Sequence, residues 1–119
     1  MKKTVEIRIG SVDDYIKDVG DIIGNPKNAG KHPDKVIYVQ DYEMLEKFLN
    51  NRKIELAHFV ANNKKSTINS IARKLKRKQE AISQDLKTLQ SHGLIKLKKV
   101  GRNVYPTATY KKIVINLAG

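Results

Sequence analysis

The sequence predicts an α+β fold in which strands near both ends of the chain flank a helical middle. Apolar and polar residues alternate over residues 5–9, which is the pattern of a strand with one buried face. Over residues 68–75 the apolar residues recur at the spacing of one helix face. A glycine-centred hairpin pattern follows over residues 94–107.

The composition favours a single intracellular domain without a metal or thiol centre. A chain of 119 residues can enclose one core, and the absence of cysteine excludes disulfides and thiolate ligands. His32, His58 and His92 lack the spacing of metal ligands. No apolar run approaches the length of a membrane span, and the start MKKTVEIRIG lacks the apolar block of a signal peptide. We therefore expect a cytoplasmic protein with no cofactor and no membrane contact.

The positive charge is concentrated in the second half of the chain. Residues 1–50 contain eight Lys or Arg and nine Asp or Glu, a balance of −1, whereas residues 51–119 contain sixteen and three, a balance of +13. A segment this basic attracts polyanions through phosphate contacts and counterion release. Nucleic acid is the expected partner, and a lysine-rich surface that serves only solubility is the alternative.

The first 40 residues predict a strand, a helix, a loop and a second strand. Alternation over residues 5–9 gives the first strand, and a helix should run from Ser11 to about Gly24. The segment from Asn25 to Asp34 is rich in Pro, Gly and Asn and should be a surface loop. The β-branched run at residues 36–39 gives the second strand. We interpret residues 1–40 as an extension used for dimerisation.

The next segment predicts three successive helices with polar N-caps. Asp41 can cap a helix that carries the apolar residues of 44–49, and Asn50 or Asn51 can cap the next. That second helix is apolar nearly all round over residues 54–60, so we expect it to be buried. Thr67 can cap the third helix, which is the clearest helical period in the chain.

The order of the following elements is typical of a winged helix-turn-helix. A basic turn, residues 76–78, leads to a helix with Ile82, Leu86 and Leu89 facing inward, and Gly93 suits its C-terminus. Residues 94–100 and 104–107 then form a hairpin around residues 101–103, which suit positive φ angles. A closing strand alternates Ile113, Ile115 and Leu117. The sequence therefore predicts a winged helix-turn-helix domain over residues 41–119.

The polar face of the second helix of this motif is the candidate reader of DNA bases. The side chain of Gln84 can bond adenine bidentately, and Ser83 can bond a base or a phosphate. Basic side chains in the turn and in the wing should contact phosphates, and Arg102 at the wing tip suits a narrow minor groove. The predicted DNA-binding residues are Thr67, Lys76, Arg77, Lys78, Gln79, Ser83, Gln84, Lys87, Lys98, Lys99, Arg102 and Asn103.

Two acidic residues in the same helix need neutralisation near DNA. We expect Asp85 to pair with a neighbouring cation such as Arg73 or Lys74. Glu80 lies near the helix N-terminus, where the helix dipole stabilises a negative charge, and it could accept a hydrogen bond from cytosine.

From about Asp41 to Leu117 the chain resembles archaeal and bacterial winged-helix regulators related to the MarR and ArsR families. The resemblance rests on the runs DYEMLEKFLNNRKIELAHFVANN, STINSIARKLKRKQEAISQDLKTLQSHGLIKLKKVGRNVYP and KKIVINL, and the opening EIRIGSVDDYIKDV is also similar. It implies a dimeric DNA-binding regulator. Lys76 departs from it, because a glycine often follows the first helix of the motif, and Gln84 stands where an arginine is common. Some members occur beside toxin genes, which implies an antitoxin role as one alternative.

These observations together predict a sequence-specific regulator of transcription that binds duplex DNA as a homodimer and represses by occupancy. The terminal strands VEIRI and IVINL would leave exposed edges unless they pair with each other or with a second chain. The alternatives are an antitoxin that also binds a protein partner, and a winged helix that binds RNA, although no aromatic cluster for base stacking is evident. The sequence contains neither a glycine-rich phosphate loop nor a pair of carboxylates on one element, so we do not expect an enzyme.

Overall fold

The structure is a computed structural model that describes residues 2–10 and 34–116. The helix predicted from Ser11 to about Gly24, the predicted loop up to residue 33 and Leu117 lie outside these residues. Within them the elements in chain order are β1 (Lys2–Ile9), β2 (Lys35–Val39), α1 (Tyr42–Phe48), α2 (Asn51–Asn62), α3 (Ile68–Leu75), α4 (Gln79–Ser91), β3 (Ile95–Val100), β4 (Asn103–Ala108) and β5 (Tyr110–Asn116).

The chain divides into two compact units, one formed by Lys2–Glu46 with Tyr110–Gly119 and the other by Lys47–Thr109. This division differs from the expected one at residue 40, because β5 pairs along β1 and so joins the N-terminal strands instead of the wing. The two ends of the chain thus meet in one sheet, which is one of the two pairings expected for the terminal strands.

The first unit is built on a parallel sheet with the strand order β2-β1-β5. In the central strand β1, Val5 and Ile7 are fully buried, as their alternation predicts. The Asp34 carboxylate accepts hydrogen bonds from the backbone N–H groups of Lys3 and Thr4 at 2.8 and 3.0 Å, which fixes the start of β2 beside β1.

The edge strand β5 does not show the one-sided burial that its alternating sequence predicts. All its residues from Lys111 to Ile115 are exposed, including Ile113, Val114 and Ile115. The pattern was misleading because alternation gives one buried face only where another layer covers that face.

The second unit contains the predicted winged helix-turn-helix: α2, α3 and α4 are followed by the antiparallel hairpin of β3 and β4. Its fully buried side chains come from all three helices and from the first wing strand; they are Leu56, Ile71, Ile82, Leu86 and Leu89, with Val60 and Ile95 almost as buried. The structure therefore confirms the predicted fold class.

Three of the predicted helix caps form. The hydrogen bonds are Met44 N–H to Asp41 Oδ1 at 2.9 Å, Lys53 N–H to Asn50 Oδ1 at 3.0 Å, and Ser70 N–H to Thr67 Oγ1 at 3.2 Å. Each cap satisfies a backbone donor that the first helical turn leaves without a partner.

The expectation that α2 is buried nearly all round is wrong. Ile54 is 45% exposed, whereas Lys53 is only 6% exposed. The Lys53 ammonium group donates a hydrogen bond to the carbonyl oxygen of Lys47 at 2.8 Å, and this partner allows the aliphatic stem of the lysine to occupy a buried position.

Candidate nucleic-acid interface

The turn between α3 and α4 is closed by a lysine in the left-handed backbone region. Lys76 has φ 55° and ψ 46°, and it is the only non-glycine residue with positive φ among the described residues. The backbone N–H of Arg77 then donates to the Ala72 carbonyl at 3.0 Å. Glycine adopts this conformation without a steric cost, so a lysine here carries a backbone strain that glycine would avoid.

Helix α4 presents its apolar side inward and its polar side outward, with the predicted phase. Ile82, Leu86 and Leu89 have no exposed surface. The exposed residues on the other side are Gln79, Glu80, Gln84 and Lys87, and Ser83 is half-buried. This surface is the candidate reader of base edges.

Asp85 lies on the inner side of α4, and the predicted pairing with Arg73 or Lys74 is wrong. Arg52 donates two hydrogen bonds to its carboxylate, from Nε at 2.7 Å and from Nη2 at 3.3 Å, and Lys53 Nζ lies 4.0 Å away. The hydrogen bond with Asp85, followed by its charge, raises the pKa of Arg52. The buried carboxylate is therefore neutralised from α2, not from α3.

Arg77 is held by α2. Its Nη1 donates to the backbone carbonyl of Arg52 at 3.1 Å, and its Nη2 lies 3.2 Å from Glu55 Oε1. Of the three acidic residues in residues 51–119, Asp85 and Glu55 are thus paired with cations, and Glu80 is the one placed in the exposed first turn of α4. The outer surface of the motif is predominantly basic as a result.

An open groove of about 420 Å³ lies between the C-terminal half of α3 and the start of α4. Its lining residues are Asn69, Ala72, Arg73, Lys76, Arg77 and Gln79. The groove contains three basic side chains and adjoins the first turn of α4, where backbone N–H groups and the helix dipole favour a negative charge. A backbone phosphate of DNA matches this chemistry.

A Schellman turn links α4 to the wing. The N–H of Gly93, at φ 75°, donates to the Gln90 carbonyl at 2.9 Å, and the N–H of Leu94 donates to the Leu89 carbonyl at 3.0 Å. The predicted C-terminal role of Gly93 is confirmed, because a left-handed residue at this position usually requires glycine.

The wing is a hairpin with a two-residue loop, Gly101 and Arg102, since Val100 pairs with Asn103. Gly101 has φ 61°, but Asn103 belongs to β4 and has no positive φ, so the expectation of positive φ over residues 101–103 holds only for the glycine. The predicted wing contacts, Lys98, Lys99, Arg102 and Asn103, are all exposed.

The predicted site residues therefore fall into two groups. Exposed cations and polar groups lie in the turn, on α4 and in the wing, as the sequence predicts. Thr67 and Arg77 have structural partners, the first as a cap and the second as the link to α2. Sequence reasoning missed Arg52 and Lys53, although the position of Asp85 between Ile82 and Leu86 on the inner face was a signal that it needs a buried cationic partner.

No group of three or more potential metal-ligating residues occurs within residues 2–10 and 34–116. Among the helices of the same part of the chain, none is both long and apolar enough to cross a membrane.

Together, the three helices, the exposed polar side of α4 and the two-stranded wing define a winged-helix protein. The chain belongs to the HVO_A0114 family, whose pattern matches residues 48–115, more than half of the chain. No curated protein matches it.

Three solved structures are similar in fold. NolR from Sinorhizobium fredii matches with a TM-score of 0.50 and 18% identity over 56% of this chain and 66% of its own. HlyU from Vibrio cholerae, in its reduced form, matches with a TM-score of 0.48 and 26% identity over 54% of this chain and 67% of its own. The transcriptional regulator HlyU from Vibrio vulnificus matches with a TM-score of 0.49 and 23% identity over 76% of this chain and 81% of its own. The chain spans about two thirds of the length of the first two proteins, and the NolR match supports the winged-helix fold.

Proposed function

We propose that this protein is a non-enzymatic regulator of transcription that binds duplex DNA. The observation that carries the proposal is the exposed polar surface of α4, which lies between a basic turn and a basic wing. In this arrangement Gln84 reads base edges in the major groove, and the flanking lysines contact phosphates.

The charge of the winged-helix unit supports the same function. Residues 47–109 contain fifteen Lys or Arg and three Asp or Glu, a balance of +12. Two of the three acidic residues are engaged by arginines, Asp85 by Arg52 and Glu55 by Arg77, so most of the positive charge is available to a polyanion.

The proposal includes a homodimer that represses by occupying its operator, as in regulators of the MarR and ArsR type. Two copies related by a two-fold axis would present two α4 helices to successive major grooves, and this geometry matches a palindromic site.

The experiment is a selection from random duplex DNA, followed by fluorescence anisotropy on the selected site at several salt concentrations. If Lys76, Lys78, Lys87, Lys98, Lys99 and Arg102 each contact one phosphate, the logarithm of the binding constant should fall with the logarithm of salt with a slope of about −5 per protomer. Lys47→Gln, which removes an exposed lysine preceding the motif, is the control and should keep the slope.

Failure of the selection to enrich any sequence, together with a salt slope near zero, contradicts the DNA-binding function. Tighter binding to single-stranded or structured RNA than to the selected duplex favours the RNA-binding alternative. The antitoxin alternative requires a protein that co-purifies in a fixed ratio.

A further inference from the structure

The outer edge of β5 carries an apolar run that the sheet leaves exposed. Ile113, Val114 and Ile115 are 36%, 42% and 39% exposed, respectively. One edge of β5 pairs with β1 in a continuous parallel register from Thr4 to Arg8. Within residues 2–10 and 34–116, no strand pairs with the other edge of β5. Three consecutive apolar residues therefore lie along an unpaired strand edge.

Proteins usually protect such an edge, because its unpaired N–H and C=O groups are a template for another strand. Proline, bulges and central charges are the common protections, but β5 has charges only at its start, Lys111 and Lys112. The three residues that follow these lysines, Ile113, Val114 and Ile115, are all β-branched and suit a strand with neighbours on both edges.

We infer that this edge binds a second copy of the chain, with two β5 strands antiparallel about a two-fold axis at Val114. The result is a continuous six-stranded sheet with the order β2-β1-β5 in each half. The inference rests on the homodimer in the proposed function and adds the surface through which that dimer forms, but it does not depend on DNA binding.

The sequence of β5 is complementary to itself in this register. Val114 lies opposite the partner's Val114, and Ile113 lies opposite the partner's Ile115, so apolar residues meet on both faces of the sheet. Lys112 lies opposite the partner's Asn116, and no lysine faces another lysine. A different protein strand would need a comparable apolar triplet with acidic residues beside Lys111 and Lys112, whereas a second copy needs nothing beyond this sequence.

A single cysteine tests the contact, since the chain has no cysteine of its own. Directly opposed residues of antiparallel strands have Cα atoms about 4.5 to 5.5 Å apart, a separation that a disulfide spans. Val114→Cys should form a covalent dimer under mild oxidation in most of the protein, detected by non-reducing electrophoresis. Val100→Cys is the matched control, because Val100 is also an exposed strand valine, and it should stay largely monomeric on the gel.

A charge substitution tests the same contact without oxidation. Val114→Lys places two ammonium groups opposite each other and should convert the free protein to a folded monomer in sedimentation, whereas Val100→Lys should remain a dimer. Circular dichroism reports whether each variant is folded. If the wild-type protein is a dimer and Val114→Lys is also a dimer, or if the two cysteine variants cross-link equally, the inference is wrong and the proposed dimer stands. A monomeric wild-type protein contradicts both the proposed dimer and its contact through β5. It leaves DNA binding open, because that function is tested by anisotropy on the selected DNA site.

Discussion

Arg52 Nε donates a hydrogen bond of 2.7 Å to Asp85 Oδ2, which ties α2 to the inner side of α4. The carboxylate is buried, whereas the arginine side chain is about half exposed. This pair neutralises a buried negative charge behind the surface that would face DNA, and together with the apolar residues of the same side it holds α4 against α2. The orientation of Gln84 therefore depends on a contact on the opposite side of the same helix.

Replacing Asp85 by Ala should lower the free energy of unfolding by about 2 to 3 kcal/mol, because the buried Lys53 then loses the anion beside it. Arg52→Ala should cost less, since its guanidinium is partly solvated and leaves Lys53 in place as a counterion. Urea denaturation of the two variants measures the difference. A larger loss for Arg52→Ala than for Asp85→Ala would be inconsistent with this account.

The left-handed conformation of Lys76 gives a second prediction. The left-handed region costs a non-glycine residue roughly 1 to 2 kcal/mol. A glycine avoids this cost, but part of the stability gained is lost because glycine raises the entropy of the unfolded chain. Lys76→Gly should therefore raise the free energy of unfolding by about 0.5 to 1 kcal/mol, whereas Lys76→Ala should not raise it. Both variants remove the same charge and should lower the salt slope of DNA binding equally, by about one. Thermal unfolding and anisotropy separate the two effects.

The helices and the wing could be predicted from the sequence because local signals agree there. The caps at Asp41, Asn50 and Thr67, the apolar period of α3 and α4, and Gly93 at a helix end all depend on neighbours within a few residues. The inward phase of α4 followed from Ile82 and its apolar partners in the same way. For this reason the sequence could predict which residues of α4 form the exposed polar surface.

What could not be predicted depends on contacts between distant segments. Local spacing suggested α3 as the source of a cation for Asp85, yet the partner is Arg52, 33 residues away on α2. The parallel pairing of β1 with β5 has no local signal either, since the residues it joins are about 108 positions apart. Burial of Lys53 and exposure of Ile54 likewise follow from tertiary packing, which overrides the polarity of the residue.

Arg77 provides a test of whether a cation near the interface binds DNA or holds the motif together. Its guanidinium contacts the Arg52 carbonyl and the half-exposed Glu55, so Arg77→Met should lower the free energy of unfolding by about 1 kcal/mol. Its salt slope should stay close to that of the wild type. Lys78→Met, one residue further on, is the control and should show the reverse: an unchanged stability and a slope lower by about one. Equal slope losses in the two variants would assign Arg77 to DNA.

At the wing, Arg102→Ala should weaken binding to all duplex sequences by a similar factor and lower the salt slope by about one. Arg102 is exposed in the two-residue loop, where its charge can approach phosphates or a narrow minor groove. Anisotropy on the selected site and on a scrambled site measures both values. A loss confined to the selected site would instead mean that the wing reads sequence.

On α4, Gln84→Ala should lose binding to the selected site by about 1 to 3 kcal/mol and change binding to scrambled DNA little, because only the correct bases offer a bidentate partner to the amide. The salt slope should not change, since no charge is removed. Gln90→Ala is the matched control: Gln90 is exposed in the last turn of the same helix, about nine Å along the axis from Gln84 at a rise of about 1.5 Å per residue, and its loss should leave both sites unaffected. Repeating the selection with Gln84→Ala should relax the preference at one base-pair position in each half-site. If instead both variants weaken the selected and the scrambled site by the same factor, α4 contributes to affinity alone and base recognition must lie elsewhere.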